Sequence, residues 1–116
     1  MKYKTGGVRD TKNKLEWSLV DFKALESMVH VLEFGATKYE PYNWKKGLPY
    51  TGTINSMLRH IYAFLHGEDI DQESGIPHTG HILCNAMFLS HYFEQMKSMD
   101  DRFIDNEKKE NKKIDK

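Results

Sequence analysis

The spacing of apolar residues predicts three helices, the first over about residues 19–34. Residues 18–21, Ser-x-x-Asp, resemble a capping box ahead of this helix, and Gly35 is the expected stop. Glu26 and Glu33 lie on the same stripe as apolar residues, so two carboxylates share the predicted inward face. A buried carboxylate is costly unless it is paired or binds a metal ion. Either this stripe meets solvent or basic partners, or these acids are metal ligands or a general base.

The same pattern continues with a second helix over about residues 51–66, capped by a threonine and ended by Gly67. A third helix covers about residues 77–99, and Pro77 suits its first turn. The predicted fold is an all-α bundle of three long helices with an extended N-terminal segment. Since each helix has a wide apolar face, we expect a homo-oligomer, a dimer or a tetramer, to complete the core. The expected contact is the lower half of the third helix: Phe88, Leu89, Tyr92, Phe93 and Met96.

Composition assigns these helices to one domain, residues 1–99, followed by a charged tail, residues 100–116, that is expected to be disordered. The 17 basic residues balance the 17 acidic ones, so no net charge favours nucleic acid or an acidic membrane surface. No apolar run approaches the roughly 20 residues that cross a bilayer, and the first residues form no apolar signal region. The single cysteine, Cys84, fits a reducing compartment. The expected location is the cytoplasm.

Residues 59–85 contain the candidate catalytic chemistry. The stripe of the third helix begins with polar side chains that a core would not tolerate without partners, and an acidic loop precedes it. Imidazole and carboxylate groups in one pocket suit a divalent metal ion, Mg²⁺ or Mn²⁺, or acid–base chemistry near neutral pH. The candidate metal ligands are Glu33, His60, Asp69, His78 and His81, and the candidate catalytic residues are Glu33, His60, Asp71 and His78. The alternative is a set of structural histidines beside a solvated turn.

The loop over residues 38–46 offers groups that recognise a nucleotide. Its lysines can meet phosphates, its aromatic rings can stack on a base, and its asparagine can read a base edge. The candidate substrate-binding residues are Lys38, Tyr39, Asn43, Trp44, Arg59 and Asn85. The alternative is that Trp44 and Tyr39 only fill the end of the bundle. The sequence has no glycine-rich phosphate loop of the Walker type and no dinucleotide fingerprint.

Five motifs follow one another in a specific order and spacing: Gly6-Gly7-Val8-Arg9-Asp10-Thr11, Phe34-Gly35-Ala36-Thr37-Lys38-Tyr39, Asn43-Trp44-x-x-Gly47, Leu58-Arg59-His60, and residues 67–75 with His78, His81 and Asn85. This series resembles the phage-encoded family described as the N-terminal domain of dATP/dGTP diphosphohydrolase, over about residues 6–95. The resemblance implies an all-α phage protein that hydrolyses purine deoxynucleoside triphosphates, with kinship to the MazG-like pyrophosphohydrolases.

The chain departs from the MazG-like pattern in its acidic residues. Those enzymes hold magnesium with Glu-x-x-Glu on one helix and Glu-x-x-Asp on another, whereas Glu26 and Glu33 are seven positions apart. The third helix offers histidines and Asn85 instead. A two-magnesium mechanism is therefore in doubt, and either one divalent ion with mixed ligands or no metal is expected. The leading hypothesis is hydrolysis of a purine nucleotide by activated water. The second is a phage protein that binds a nucleotide, or a nucleotide immune signal, without chemistry.

Overall fold

Three α-helices form the fold: α1 (Glu26–Lys38), α2 (Tyr50–Leu65) and α3 (His78–Gln95). The computed structural model describes residues 1–10 and 12–105, and the statements below concern these residues. They form no strand; they contain only two isolated bridges, Lys2–Val8 and Ile70–Pro77. The all-α prediction is therefore confirmed. The N-terminal segment does not lie extended over the helices, because the Lys2–Val8 bridge folds residues 1–10 back on themselves and they are exposed.

The first helix differs most from its prediction. Two 3₁₀ turns, Trp17–Leu19 and Phe22–Leu25, precede it, and Asp21 caps the second by accepting a hydrogen bond from the Lys23 N–H. Gly35 does not end α1, which continues to Lys38. A glycine stops a helix when it adopts a left-handed backbone, and Gly35 has no positive φ. The helix therefore passes through Gly35 at the ordinary cost of a glycine in a helix interior.

The predicted inward face of α1 was also wrong, because both of its carboxylates are exposed. Glu33 accepts a hydrogen bond from His30 Nδ1 at 3.1 Å, and its side chain is 69% exposed. Helices α1 and α2 each pack on α3 but hardly on each other. The side of α1 that carries these acids therefore faces an open groove or solvent and not a closed core.

Helix α3 is the centre of the fold. Among the described residues the buried hydrophobic side chains are Tyr50, Cys84 and Tyr92. The Tyr92 hydroxyl donates to the Trp44 carbonyl at 2.6 Å, and the Tyr50 hydroxyl donates to the Tyr92 carbonyl at 3.3 Å. Because Tyr92 is completely buried and Phe88 stacks on Trp44, these two residues belong to the core of one chain. Two of the five residues predicted to form a contact between subunits, Phe88 and Tyr92, therefore lie in the core of one chain, whereas Phe93 is 57% exposed.

A close approach between α1 and α3 fixes one wall of the groove. Gly80, in the first turn of α3, is buried, and a Cβ atom at this position would lie 2.6 Å from Ser27 Cβ and 2.8 Å from the Ser27 carbonyl carbon. Real side chains do not tolerate such distances, so only glycine fits here without a shift of the backbone.

Beyond α3 the chain turns back and reaches the start of α2. Asp101 accepts hydrogen bonds from the Thr51 N–H at 2.9 Å and from the Thr51 hydroxyl at 2.6 Å, which caps that helix. Residues 106–116, most of the predicted tail, lie outside the described part of the chain. None of the helices described is long and apolar enough to span a membrane.

Candidate functional site

The loop between α2 and α3 places the acidic residues, and its first turn is set by Gly67. This glycine has a φ of 94°, and its N–H donates to the Phe64 carbonyl. The next N–H, of Glu68, donates to the Ala63 carbonyl at 3.0 Å. Together these bonds form a Schellman motif, which ends α2 and directs Glu68 back toward the helices.

The far end of the loop is tied to the start of α3. The Asp71 N–H donates to the Ile76 carbonyl at 2.9 Å, and the His78 N–H donates to the Asp69 carbonyl at 2.9 Å. The bridge between Ile70 and Pro77 lies between these two bonds. The acidic residues are therefore held by backbone hydrogen bonds next to the first turn of α3.

Three of the predicted residues meet where this loop crosses the helices. His60 of α2, Asp71 of the loop and His78 of α3 each offer a ligand atom, and these three atoms lie within 4.8 Å of one another. His60 Nδ1 and His78 Nδ1 are 2.8 Å apart. His78 is buried and His60 is half-buried. Two imidazoles and a carboxylate at these separations are a suitable ligand set for a divalent metal ion. We refer to these three residues as the histidine–aspartate cluster.

A further histidine supports the cluster from α3. The ring of His81 stacks on that of His60, with centroids 4.3 Å apart and planes 4° apart. Burial lowers the pKa of both His60 and His81, and for His60 the neighbouring His81 lowers it further. Both rings are therefore neutral near pH 7, which leaves each with one nitrogen lone pair.

Asp71 is held ionised by Ser74. The Ser74 hydroxyl and N–H both donate to Asp71 Oδ2, at 2.7 and 3.0 Å. Burial by itself would raise the pKa of Asp71, but these two hydrogen bonds outweigh it and lower the pKa below its usual value. Ser74 Oγ also lies 2.7 Å from His81 Nε2. Since the Ser74 hydroxyl donates its hydrogen to Asp71, its oxygen accepts a hydrogen bond from His81 Nε2. This bond fixes the orientation of the His81 ring.

The cluster lies in a groove between α1 and α2, with α3 as its floor. The groove encloses about 1360 Å³ and also contains the aromatic loop. This volume exceeds the roughly 300–1,000 Å³ of typical small-molecule pockets. Arg59 lines the groove on α2, and Lys38 lines it on α1, where it donates to Glu73 at 2.9 Å. A phosphorylated ligand would find cationic groups on both walls.

The aromatic residues of the loop divide into two roles. One face of Trp44 stacks on Phe88, with centroids 4.8 Å apart, so Trp44 does fill one end of the core. Tyr39 is 63% exposed, and Lys38 Nζ lies over its ring, 5.6 Å from the centroid. Asn43 lines the groove, and Asn85 uses its Nδ2 to donate to Ser56 Oγ and to the His81 carbonyl.

The structure does not bring every predicted site residue to the cluster. Glu33 lines the groove but is paired with His30, and Asp69 is exposed and contributes a backbone oxygen to the His78 N–H.

Sequence analysis did not identify Glu68, which accepts a hydrogen bond from His78 Nε2 at 3.0 Å. The available signal was Gly67, because a glycine at a helix end predicts a reversal that brings the next residue back toward the bundle. Burial raises the pKa of the Cys84 thiol to about 12, which makes it unreactive.

Fold and site together define a class: a small all-α domain with a histidine–carboxylate centre in a groove that has cationic and aromatic walls. The sequence profile of the family described as dATP/dGTP diphosphohydrolase, N-terminal, matches residues 4–102. The chain belongs to this family. It is 29% identical over 96 residues to a dATP/dGTP diphosphohydrolase of Salmonella phage PMBT28, an alignment that covers 83% of this chain and 33% of that protein. The chain thus spans about a third of the length of this relative. No solved structure gives a significant match.

Proposed function

We propose that this domain binds a purine deoxynucleoside triphosphate in the groove and hydrolyses it at the histidine–aspartate cluster. The observation that carries the proposal is that His60, Asp71 and His78 offer ligand atoms within 4.8 Å of one another, in the same groove as Lys38 and the aromatic loop. The name of the phage relative supports the choice of substrate.

The ligand set fits one Mg²⁺ or Mn²⁺ ion. Ligation needs a neutral imidazole and an ionised carboxylate, and the lowered pKa values of His60 and Asp71 provide both near neutral pH. Such an ion, when bound, polarises a phosphoryl oxygen and lowers the pKa of a water molecule. Three of the ligands expected from the sequence, Glu33, Asp69 and His81, lie outside the cluster in this arrangement.

The protein's own residues contribute charge and orientation. Lys38 and Arg59, on opposite walls of the groove, can offset the negative charge of a triphosphate. Tyr39 provides an exposed ring for the base, and Asn43 lines the groove beside it. Lys38 is paired with Glu73 in the free protein, so a phosphate group must compete with that carboxylate.

The reaction can be tested by incubating the chain with dATP, dGTP or dCTP, with and without Mn²⁺, and following the products by phosphorus NMR. We expect metal-dependent loss of the two purine nucleotides, with His78→Ala inactive and His66→Ala, an exposed histidine at the end of α2, fully active. Tight binding without turnover would support the nucleotide-binding alternative. A chain that shows no binding and no turnover of these nucleotides would contradict both functions.

We also propose that the chain self-associates, through α2. The second half of its apolar stripe is exposed, and Leu65, with 75% of its surface accessible, is the most exposed of these side chains; the others are Leu58, Ile61 and Tyr62. Contiguous apolar surface of this kind is uncommon on monomeric proteins.

A further inference from the structure

We propose that Glu68 is a positioning residue, which orients His78 and fixes which of its nitrogen atoms can bind a metal ion. The inference rests on the function proposed above and adds to it a residue outside the cluster. The observation is a chain of contacts: Glu68 Oε1 lies 3.0 Å from His78 Nε2, and His78 Nδ1 lies 2.8 Å from His60 Nδ1.

The direction of these hydrogen bonds follows from the groups. An ionised carboxylate only accepts, so the hydrogen between Glu68 and His78 is on His78 Nε2. Metal ligation uses a neutral imidazole, and a neutral ring with its hydrogen on Nε2 has its lone pair on Nδ1, the atom of His78 that faces His60. In the absence of an ion the hydrogen between the two rings therefore comes from His60 Nδ1. With an ion bound, His78 Nδ1 is the atom that can serve as ligand.

The local structure supports this role because Glu68 is not placed by a flexible loop. It is the residue after Gly67 in the Schellman motif, and its own N–H is bound to the Ala63 carbonyl. His78 is buried, whereas the Glu68 side chain is about half exposed. The half-exposed carboxylate thus makes a hydrogen bond to a buried ring and helps to hold its orientation. Histidines that bind metals commonly donate their second N–H to such a carboxylate, and loss of this partner typically lowers metal affinity about 10–100-fold.

The test compares variants of the whole chain by Mn²⁺ titration calorimetry and by nitrogen-15 NMR of the histidine rings. Glu68→Ala removes the acceptor, and we expect Mn²⁺ affinity to fall about 10–100-fold. Glu68→Gln keeps an oxygen that can accept from His78, so its loss is smaller. Glu73→Gln is the matched control, because it removes the same charge from the same loop at a side chain that bonds to Lys38 and to no histidine. It should change Mn²⁺ affinity by less than a factor of about three.

The NMR spectrum provides a readout that does not depend on metal. In the metal-free protein His78 should carry its hydrogen on Nε2, and in Glu68→Ala this preference should weaken, while Glu73→Gln should leave it unchanged. Wild-type affinity retained in Glu68→Ala would overturn the inference and leave the proposed metal site intact. A hydrogen on His78 Nδ1 in the wild type would overturn it as well. If the wild type binds no Mn²⁺ at millimolar concentration, the metal site fails and the role of Glu68 fails with it.

Discussion

The contact between Gly80 and Ser27 predicts opposite effects of two glycine-to-alanine substitutions. Gly80→Ala adds a Cβ atom 2.6 Å from Ser27 Cβ and 2.8 Å from the Ser27 carbonyl group, so α1 must move away from α3. Overpacking of this kind costs about 1–3 kcal/mol. Replacing a helical glycine by alanine alone gains about 1 kcal/mol. At Gly52, also helical, the added Cβ meets nothing within 4 Å, so Gly52→Ala keeps the whole gain.

The difference in unfolding free energy between the two variants is therefore the packing cost, about 1–3 kcal/mol. For a domain of this size such a difference separates the melting temperatures by several degrees. Denaturant unfolding followed by circular dichroism measures it. Because Gly80 lies between His78 and His81, Gly80→Ala should also weaken Mn²⁺ binding, whereas Gly52→Ala should not. Equal stabilisation of the chain by both alanines would show that α1 and α3 do not approach as described, and the wall of the groove would have to be placed differently.

Three further predictions concern the site, the capping of α2 and assembly. His78→Ala should lose nucleotide turnover or binding while circular dichroism shows unchanged helicity, and His66→Ala should keep its activity and its helicity. An active His78→Ala protein would show that the histidines have a structural role only. Hydrogen bonds from Thr51 lower the pKa of Asp101, so this carboxylate stabilises the fold above its ordinary pKa of about 3.8 and ceases to do so as the pH falls. In Asp101→Asn the melting temperature should therefore fall less steeply as the pH is lowered into the acid range. A fall as steep as in the wild type would contradict the capping of α2 by Asp101. Light scattering should report a dimer or tetramer for the wild type and a folded monomer for Leu65→Glu; a monomeric wild type would contradict self-association.

The helices could be predicted from the sequence because their apolar residues repeat at the helical period and their ends have recognisable caps. The end of α1 could not, since a glycine marks a helix end only if its backbone turns left-handed, and Gly35 stays helical while Gly67 does not. The inward placement of Glu33 failed for a different reason. A stripe shows which side of a helix is apolar, but not that α1 packs mainly on α3 and leaves its other side open.

Part of the site followed from the same reasoning. His78 occupies a position where a core residue is expected, so its polarity marked it as a candidate, and His60 was a candidate because it lies in the same histidine-rich part of the sequence. Asp71 could not be separated from its acidic neighbour Asp69 by sequence, because the choice depends on the backbone bonds that tie the loop to α3. Glu68 was missed because its contact with His78 spans ten residues and depends on the direction of the chain after Gly67.

The central claim is that His60, Asp71 and His78 hold one divalent ion beside a bound purine nucleotide. The most direct measurement is a crystal structure of the chain with Mn²⁺ and a non-hydrolysable dATP analogue, in which anomalous scattering locates the ion. The account predicts one manganese peak within coordination distance of all three residues, with the triphosphate beside it and the base near Tyr39. A peak elsewhere, or a bound nucleotide with no manganese at the cluster, would contradict it.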